Sequence, residues 1–405
     1  MGDPLNWRAR VARSGVVATN WLSRVTGRGA GTVAGGRVGL VLDPRLLEHL
    51  AAGRATIAVS GTNGKTTTTA LIAAGWGTPV ATNATGANMP EGHVAALSVS
   101  SATNVVLECD EAWLPEVVRR AGPRVVVLLN LSRDQLDRAS EVRQLAERWR
   151  RCFADPGARE VVVVANANDP LVVYGAETAS RVLWCDVPTV WRRDATSCPK
   201  CTQPIEYSAS GWRCPCGFAR PAALGTTLGE RLEVDGQVLD LDLAVPGAFN
   251  AANAALGVTA LGAVGVAPAD AVGRMNRVSE VAGRFAHRRW RGRTMRLVLA
   301  KNPAGFAAVL GLVDGAADLW IAINAQVADG RDPSWLYDVP FEQLAGRDVA
   351  CLGERRLDLA TRLDYAGAVA TVVDEVDALA TGERPVWLVA NYTAFSEWLA
   401  RSSPR

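Results

Sequence analysis

The stretch Ala55-Thr-Ile-Ala-Val-Ser-Gly-Thr-Asn-Gly-Lys-Thr-Thr-Thr68 begins as an apolar run, breaks on two glycines and resumes as a helix-compatible segment. This order predicts a buried strand, a tight loop and a helix. A loop of this kind turns backbone N–H groups toward an anion, and the helix N-terminus adds partial positive charge. Gly61, Thr62, Asn63 and Gly64 would cradle phosphates, with Thr67 in the first helical turn. Lys65 would reach the terminal phosphates, and Thr66 would offer its hydroxyl to Mg²⁺. The strict phosphate-loop pattern needs Gly where Val59 stands, so this is a shorter variant. An ordinary strand–helix turn is the alternative. Four residues falling where the chemistry needs them favour nucleoside triphosphate binding.

Composition bounds the rest. A chain of 405 residues, 49% hydrophobic, predicts two or three domains with sizeable cores. A net charge of +2 gives no global basic field for nucleic acid. Lys occurs only at 65, 200 and 301, and His only at 49, 93 and 287, so His-based chemistry is scarce. No apolar run is long enough to span a bilayer, and the N-terminus lacks signal-peptide order. Arg8, Arg10 and Arg13 among apolar residues predict a short amphipathic helix, read as a packing arm in preference to a membrane anchor. The expected location is cytoplasmic, with the cysteines reduced or metal-bound.

Cys198-Pro-Lys-Cys201 and Cys214-Pro-Cys216-Gly217 form two close thiol pairs on turn residues. Four thiolates suit a tetrahedral Zn²⁺ and leave no coordination position open, so a structural zinc ribbon is expected, with a redox pair as competitor. Cys109, Cys152, Cys185 and Cys351 are scattered and read as inert core thiols.

Along the chain, apolar runs alternate with helical patterns. The Gly-rich stretch Gly27–Gly39 reads as a separator between an N-terminal arm (1–42) and a central domain (43–289). Val105–Leu107, Val125–Leu129 and Val161–Val164 read as buried strands. Each ends on polar residues: Glu108 and Asp110; Asn130, Arg133 and Asp134; Asn166, Asn168 and Asp169. Open α/β sheets bind ligands at that edge. The ribbon is an insertion at about 195–222, followed by polar, turn-rich sequence and a helix opened by Val245–Asn253. Beyond Gly283-Arg284 the alternation restarts at Leu297–Leu299, Trp320–Ile323, Val349–Leu352, Val372–Val373 and Val386–Val389. A second, smaller, Rossmann-like α/β domain (290–405) is expected.

Triphosphate chemistry also needs a carboxylate for Mg²⁺. Glu108 ends a buried strand without evident structural purpose and is the candidate. Arg133, Asp134 and Asp137 read as a second polar cluster or a helix start. Asn250 and Asn253 read equally as nucleotide contacts or helix caps.

Gly61-Thr-Asn-Gly-Lys-Thr66, Glu108, Asn130…Asp134, Asn166-Ala-Asn-Asp-Pro170, Gly247-x-x-Asn250-x-x-Asn253 and Gly283-Arg284 together resemble the central domain of the Mur ligase family over about 230 residues. That resemblance implies ATP-dependent activation of a carboxylate as an acyl phosphate, which an amine attacks. It extends the nucleotide site to Asn250, Asn253 and Arg284. The departures are specific. Gln135 stands where a His is usual, Phe249 replaces the His of peptide-adding members, and the usual carbamoylated Lys has no evident counterpart, Lys200 lying inside the ribbon. The ribbon, with Ala300–Gly305, Ala328–Trp335 and Asn391–Thr393, resembles the branch that amidates the α-carboxyl of D-glutamate in lipid II. That branch draws ammonia from a separate GatD-like glutamine amidotransferase and acts on a substrate offered at the inner face of the membrane. A glutaminase needs a Cys–His pair. From 290 onward the chain has one Cys, Cys351, and no His. A heterodimer is therefore expected.

Asp332, in Asp329-Gly-Arg-Asp332-Pro-Ser-Trp335, reads by itself as a turn residue. The resemblance implies that it completes the partner's Cys–His pair, with Asp329 and Asp338 as alternatives. The competing functions are an amino-acid-adding ligase of the Mur or folylpolyglutamate synthase kind, and a zinc-ribbon ATPase on nucleic acid. The latter is disfavoured because only Trp212-Arg213 suggests an Arg/aromatic stripe.

Overall fold

Strand side chains alternate between sheet faces, so a run that is apolar at every position must be covered on both sides. The computed structural model describes residues 6–26, 32–83, 87–133, 139–189, 191–222, 224–379 and 384–404. In it Ile57, Val59 and Val106 enter one core, while Ala58, Val105 and Leu107 enter another across the sheet.

The chain falls into two compact units. The first joins Met1–Leu131, Ser140–Leu243 and Ala248–Val278; the second joins Ser132–Ala139, Ala244–Gly247 and Ser279–Arg405. The first unit opens with helices α1 (Trp7–Val25), α2 (Thr32–Leu42) and α3 (Leu46–Ala51). Then β1 (Ala55–Ser60), α4 (Lys65–Trp76), β2 (Val80–Thr82), α5 (Pro90–Ser98), β3 (Asn104–Cys109), α6 (Leu114–Ala121) and β4 (Val125–Leu128) alternate. They continue with α7 (Ala139–Ala154), β5 (Val162–Asn166), α8 (Pro170–Ala176) and β6 (Arg181–Asp186). A hairpin, β7 (Glu206–Ser208) and β8 (Gly211–Arg213), precedes β9 (Thr226–Leu228), β10 (Leu232–Val234) and β11 (Gln237–Leu239), then α9 (Ala248–Ala263) and α10 (Pro268–Met275).

Among the described residues the sheet order is β11-β10-β9-β6-β5-β4-β1-β3-β2. Strands β1 to β6 pair in parallel, whereas β9–β10 and β10–β11 pair antiparallel. The segment read as merely turn-rich after the ribbon thus extends the sheet. Helices α4, α9 and α10 cover one face; α3, α5, α6, α7 and α8 contribute to the core on the other.

The second unit contains β12 (Phe285–Trp290), β13 (Arg293–Leu299), α11 (Pro303–Leu310), β14 (Asp318–Ala322), β15 (Asp348–Leu352), α12 (Arg356–Tyr365), β16 (Val369–Val372), β17 (Val386–Ala390), α13 (Tyr392–Arg401) and β18 (Ser403–Pro404). Its sheet runs β16-β15-β14-β17-β13-β12-β18, the first five strands parallel. The expected α/β class and the Rossmann-like character of this part are what the strands build.

The Gly-rich stretch departs from its reading as a separator. From Thr32 onward it is helix α2. A Cβ at Gly35 would stand 2.0 Å from Asn20 Oδ1, and one at Gly36 would stand 1.9 Å from the Glu91 carbonyl oxygen. The glycines let α2 approach α1 and α5 closely, a packing role that composition alone disguises as a linker. The amphipathic helix expected before it is also longer, 19 residues, and buries Ala9, Ala12 and Val16.

Candidate active site

Strand β1 delivers the loop Gly61–Gly64 to the C-terminal edge of the first sheet, between β3 and β4. Two glycines make the bend possible. Gly61 has φ +142° and Gly64 φ +91°, and Gly64 caps α4. A Cβ at Gly64 would sit 2.7 Å from Asn253 Oδ1. Backbone and side chain of Asn130, just past β4, fix the loop. Thr62 N donates to Asn130 O (3.0 Å), Asn63 N to Asn130 Oδ1 (2.9 Å), and Asn130 Nδ2 to Asn63 O (2.9 Å). Three hydrogen bonds to one residue fix the loop's shape, the kind of bracing a phosphate cradle requires.

Lys65 opens α4 and is 8% exposed. Its ammonium donates to Gly61 O (2.6 Å) and pairs with Glu111 Oε2 (3.2 Å). Burying an ammonium without an anion is costly, so Glu111 stabilises the charge that a phosphate would otherwise meet. Thr66 is half-buried in the same helical turn, and Thr62 and Thr67 are buried. Asn250 and Asn253 lie inside α9, not at its cap, and Asn253 abuts Gly64.

Glu108 stands opposite Val59 in the β1–β3 register, two residues before the loop, and is 2% exposed. Its backbone is clamped from both sides. Asn83 Oδ1 accepts from Glu108 N (2.8 Å), and Asn83 Nδ2 donates to Glu108 O (2.8 Å). His93 Nε2 lies 2.8 Å from the same carbonyl. A carbonyl only accepts, so Nε2 carries the hydrogen and Nδ1 the lone pair. Burial holds the His93 imidazole down at about 4, well below its ordinary 6.5, so it stays neutral. The Gly-rich loop, the buried Lys65 and the buried Glu108 thus stand at one edge of the first sheet. Lys65, Thr66 and the loop amides share the first turn of α4 and the loop before it, and Glu108 lies on the neighbouring strand β3.

The third polar strand end serves the fold. Asp169 caps α8, accepting from Leu171 N (2.9 Å), Val172 N (3.2 Å) and Leu131 N (2.9 Å). Burial nonetheless pushes its carboxyl up to about 6. Asn168 binds Asp186 and Arg220, bracing the ribbon's exit. Asp134, Gln135 and Asp137 lie outside the described residues.

In the ribbon, the four Sγ atoms of Cys198, Cys201, Cys214 and Cys216 lie within 4.8 Å of one another. Cys198–Cys216 is 3.7 Å and Cys201–Cys214 3.4 Å. Zn–S bonds of about 2.3 Å in a tetrahedron place sulfurs about 3.8 Å apart, so the donor set fits the ion. Trp212 and Phe218 pack this knuckle against Val173 and Tyr174 of α8. Trp212 Nε1 also donates to Ala167 O (3.0 Å).

The remaining sequence candidates lie in the second unit. Arg284 is half-buried beside Gly283 (φ +70°). Asp332 is exposed and accepts from Ser334 N (2.9 Å) and Ser334 Oγ (2.7 Å), which hold its carboxyl below the usual range. Asp329 is engaged with α13, accepting from Thr393 N (2.9 Å) and the Thr393 hydroxyl. Asp338 lies 3.7 Å from Arg133. Of the three aspartates, Asp332 alone is bonded only within its own turn among the described residues.

Sequence reasoning missed Asn83, His93 and Glu111. Asn83 follows the short apolar run Val80–Thr82, so the strand-end rule that found Glu108 would also have found it.

The Mur ligase middle domain family matches residues 59–261, and the MurT ligase C-terminal family matches residues 299–395. Over 389 residues the chain is 28% identical to the lipid II isoglutaminyl synthase (glutamine-hydrolyzing) subunit MurT of Staphylococcus aureus (strain COL), covering 88% of this chain and 87% of that one. The Streptococcus pneumoniae (strain ATCC BAA-255 / R6) subunit of the same name is 27% identical, covering 91% and 92%. A UDP-N-acetylmuramoylalanine--D-glutamate ligase of Caulobacter sp. (strain K31) is 27% identical, covering 85% and 71%. Among solved structures, a pseudomurein peptide ligase type C from Methanothermus fervidus superposes with TM-score 0.64 at 17% identity, covering 86% and 78%. MurF from Acinetobacter baumannii gives 0.63 at 14%, covering 90% and 79%. The two superpositions speak for the fold alone.

Proposed function

The chain belongs to the Mur ligase family, and from that premise we propose that it is the ligase subunit of an enzyme that amidates the D-glutamate α-carboxylate of lipid II with glutamine-derived ammonia. The observation that carries this reading is a Mur ligase middle domain joined to a MurT-type C-terminal domain in one chain. The MurT relatives cover nearly its whole length.

The residues support a division of labour. Bound ATP supplies the phosphoryl group that activates the acceptor carboxylate. Loop amides from Thr62 to Thr66 and the Lys65 ammonium hold phosphate oxygens and balance the charge that builds during transfer. Glu108 and Thr66 would hold Mg²⁺, and Asn250 and Asn253 would complete the nucleotide site within the first unit. The ribbon cysteines hold a structural Zn²⁺. A GatD-like amidotransferase partner releases ammonia, and Asp332 serves its Cys–His pair across the interface. A lipid-linked acceptor places the reaction at the inner face of the membrane.

The test is reconstitution with lipid II, ATP and ammonium, then with glutamine and a purified amidotransferase. Amide formation with ammonium, and with glutamine only when the partner is present, is the expected pattern. Incorporation of an amino acid instead would identify an amino-acid-adding ligase and overturn the reading.

A further inference from the structure

Helix α1 carries two apolar faces, and the fold uses one. Ala9, Ala12, Val16 and Asn20 are buried. About 180° around the helix, at 3.6 residues per turn, Trp7 (77% exposed), Val11, Trp21 (64%), Leu22 and Val25 (64%) stand in solvent. Gly15 lies beside Val11 on the wheel, and Val38 and Leu42 of α2 lean over it, 3.6 and 3.0 Å from a Cβ built there. Both are themselves exposed, so the apolar surface continues across the hairpin.

The charge of this stretch of sequence is one-sided. Between Pro4 and Leu42 there are six arginines and no acidic residue, in a chain of net charge +2, so the remainder is net negative. Arg8 and Arg10 are exposed and lie on opposite flanks of the apolar stripe. Interfacial helices have this form: an apolar, Trp-bearing face bounded by cations whose long side chains reach headgroup phosphates. A spanning role is excluded for α1, since no described helix is long and apolar enough to cross a membrane.

We propose that the exposed face of the α1–α2 hairpin docks on an anionic bilayer surface, with Trp7, Val11, Trp21, Leu22 and Val25 in the headgroup–acyl boundary and Arg8 and Arg10 on lipid phosphates. The opposite face of α1 stays packed on the protein, so docking needs no unfolding. The inference adds a docking surface to the proposed function but does not rest on it, because the geometry and charge stand without any reaction.

The test is flotation of the full chain with vesicles of phosphatidylcholine containing about one-third phosphatidylglycerol, without substrate or ATP. The wild type should bind these vesicles and leave them at high salt. The double variant Trp21→Glu, Leu22→Glu should bind at least about tenfold more weakly, with unchanged melting temperature because both side chains are exposed. Val327→Glu, at an exposed apolar position of the second unit, should bind like wild type. Absence of vesicle binding, or equal binding by the double variant, overturns the proposal. So does a wild type that is dimeric by light scattering and made monomeric by the double substitution without vesicle binding, which would assign the face to a second copy. Amidation failing while vesicle binding persists would count against the proposed reaction alone.

Discussion

The phosphate loop and the Asp332 turn are both short polar segments near apolar strands, yet they are built oppositely. Asn130 ties the loop with three hydrogen bonds, and the loop sits beside a buried Lys65 and a buried Glu108. Asp332 is exposed and, among the described residues, is bonded only to Ser334, two residues away. A site that performs chemistry within its own chain must hold its geometry before the ligand arrives, and burial and cross-strand bonds provide that. A residue serving a partner must stay open to it, so its final geometry belongs to the interface. The contrast predicts which substitutions act in the isolated chain and which act only in the complex.

The largest expected effect tests the buried side of the contrast. Lys65→Ala and Glu108→Ala should each lower ammonium-driven amidation by about 10²–10³-fold. Circular dichroism and zinc content should stay as in wild type. Ammonium-driven activity within a few-fold of wild type in either variant would mean that the converging geometry is not the active site.

Asp332→Asn tests the open side. The amide can still accept from Ser334, so the turn persists. Glutamine-driven amidation should fall by about 10²-fold or more, while ammonium-driven amidation and partner binding hold. Equal loss with both nitrogen donors would make Asp332 part of the ligase itself and dissolve the comparison.

Smaller effects follow from groups that support the first unit. Cys201→Ser should reduce zinc from about one to below about 0.2 per chain and lower the melting temperature, because a structural metal contributes folding energy. Ammonium-driven activity measured well below that temperature should change little. Zinc retained at full stoichiometry would show that the four thiols are not its ligands.

His93 sets a pH window beneath Glu108. Its folded form titrates near 4 and its unfolded form near 6.5, so between those values the unfolded chain binds a proton that the folded chain does not. Stability should therefore fall as pH drops from 6.5 toward 4, by at most about 3 kcal/mol for this group. His93→Gln should flatten that part of the profile in denaturant titrations. An unchanged slope would assign the acid sensitivity to other groups.

Local spacing made much of the protein legible. The loop from Gly61 to Thr66, the paired cysteines and the Val-rich runs are read within a few residues, because a tight turn, a metal knuckle and a buried strand each impose a short pattern. The Mur ligase family and the α/β class followed from these. Tertiary structure decided the rest. Glu111 meets Lys65 from 46 residues away and Asn83 clamps Glu108 from 25 residues away, only because β1 lies between β3 and β4 with β2 beyond. Gly35 and Gly36 looked like linker residues because spacing cannot reveal that another helix packs within 2 Å of their missing side chains. Likewise, the outward face of α1 could be recognised only once the fold had taken the other face for its core. A sequence pattern gives which residues are apolar, but packing alone decides which of them the protein leaves in water.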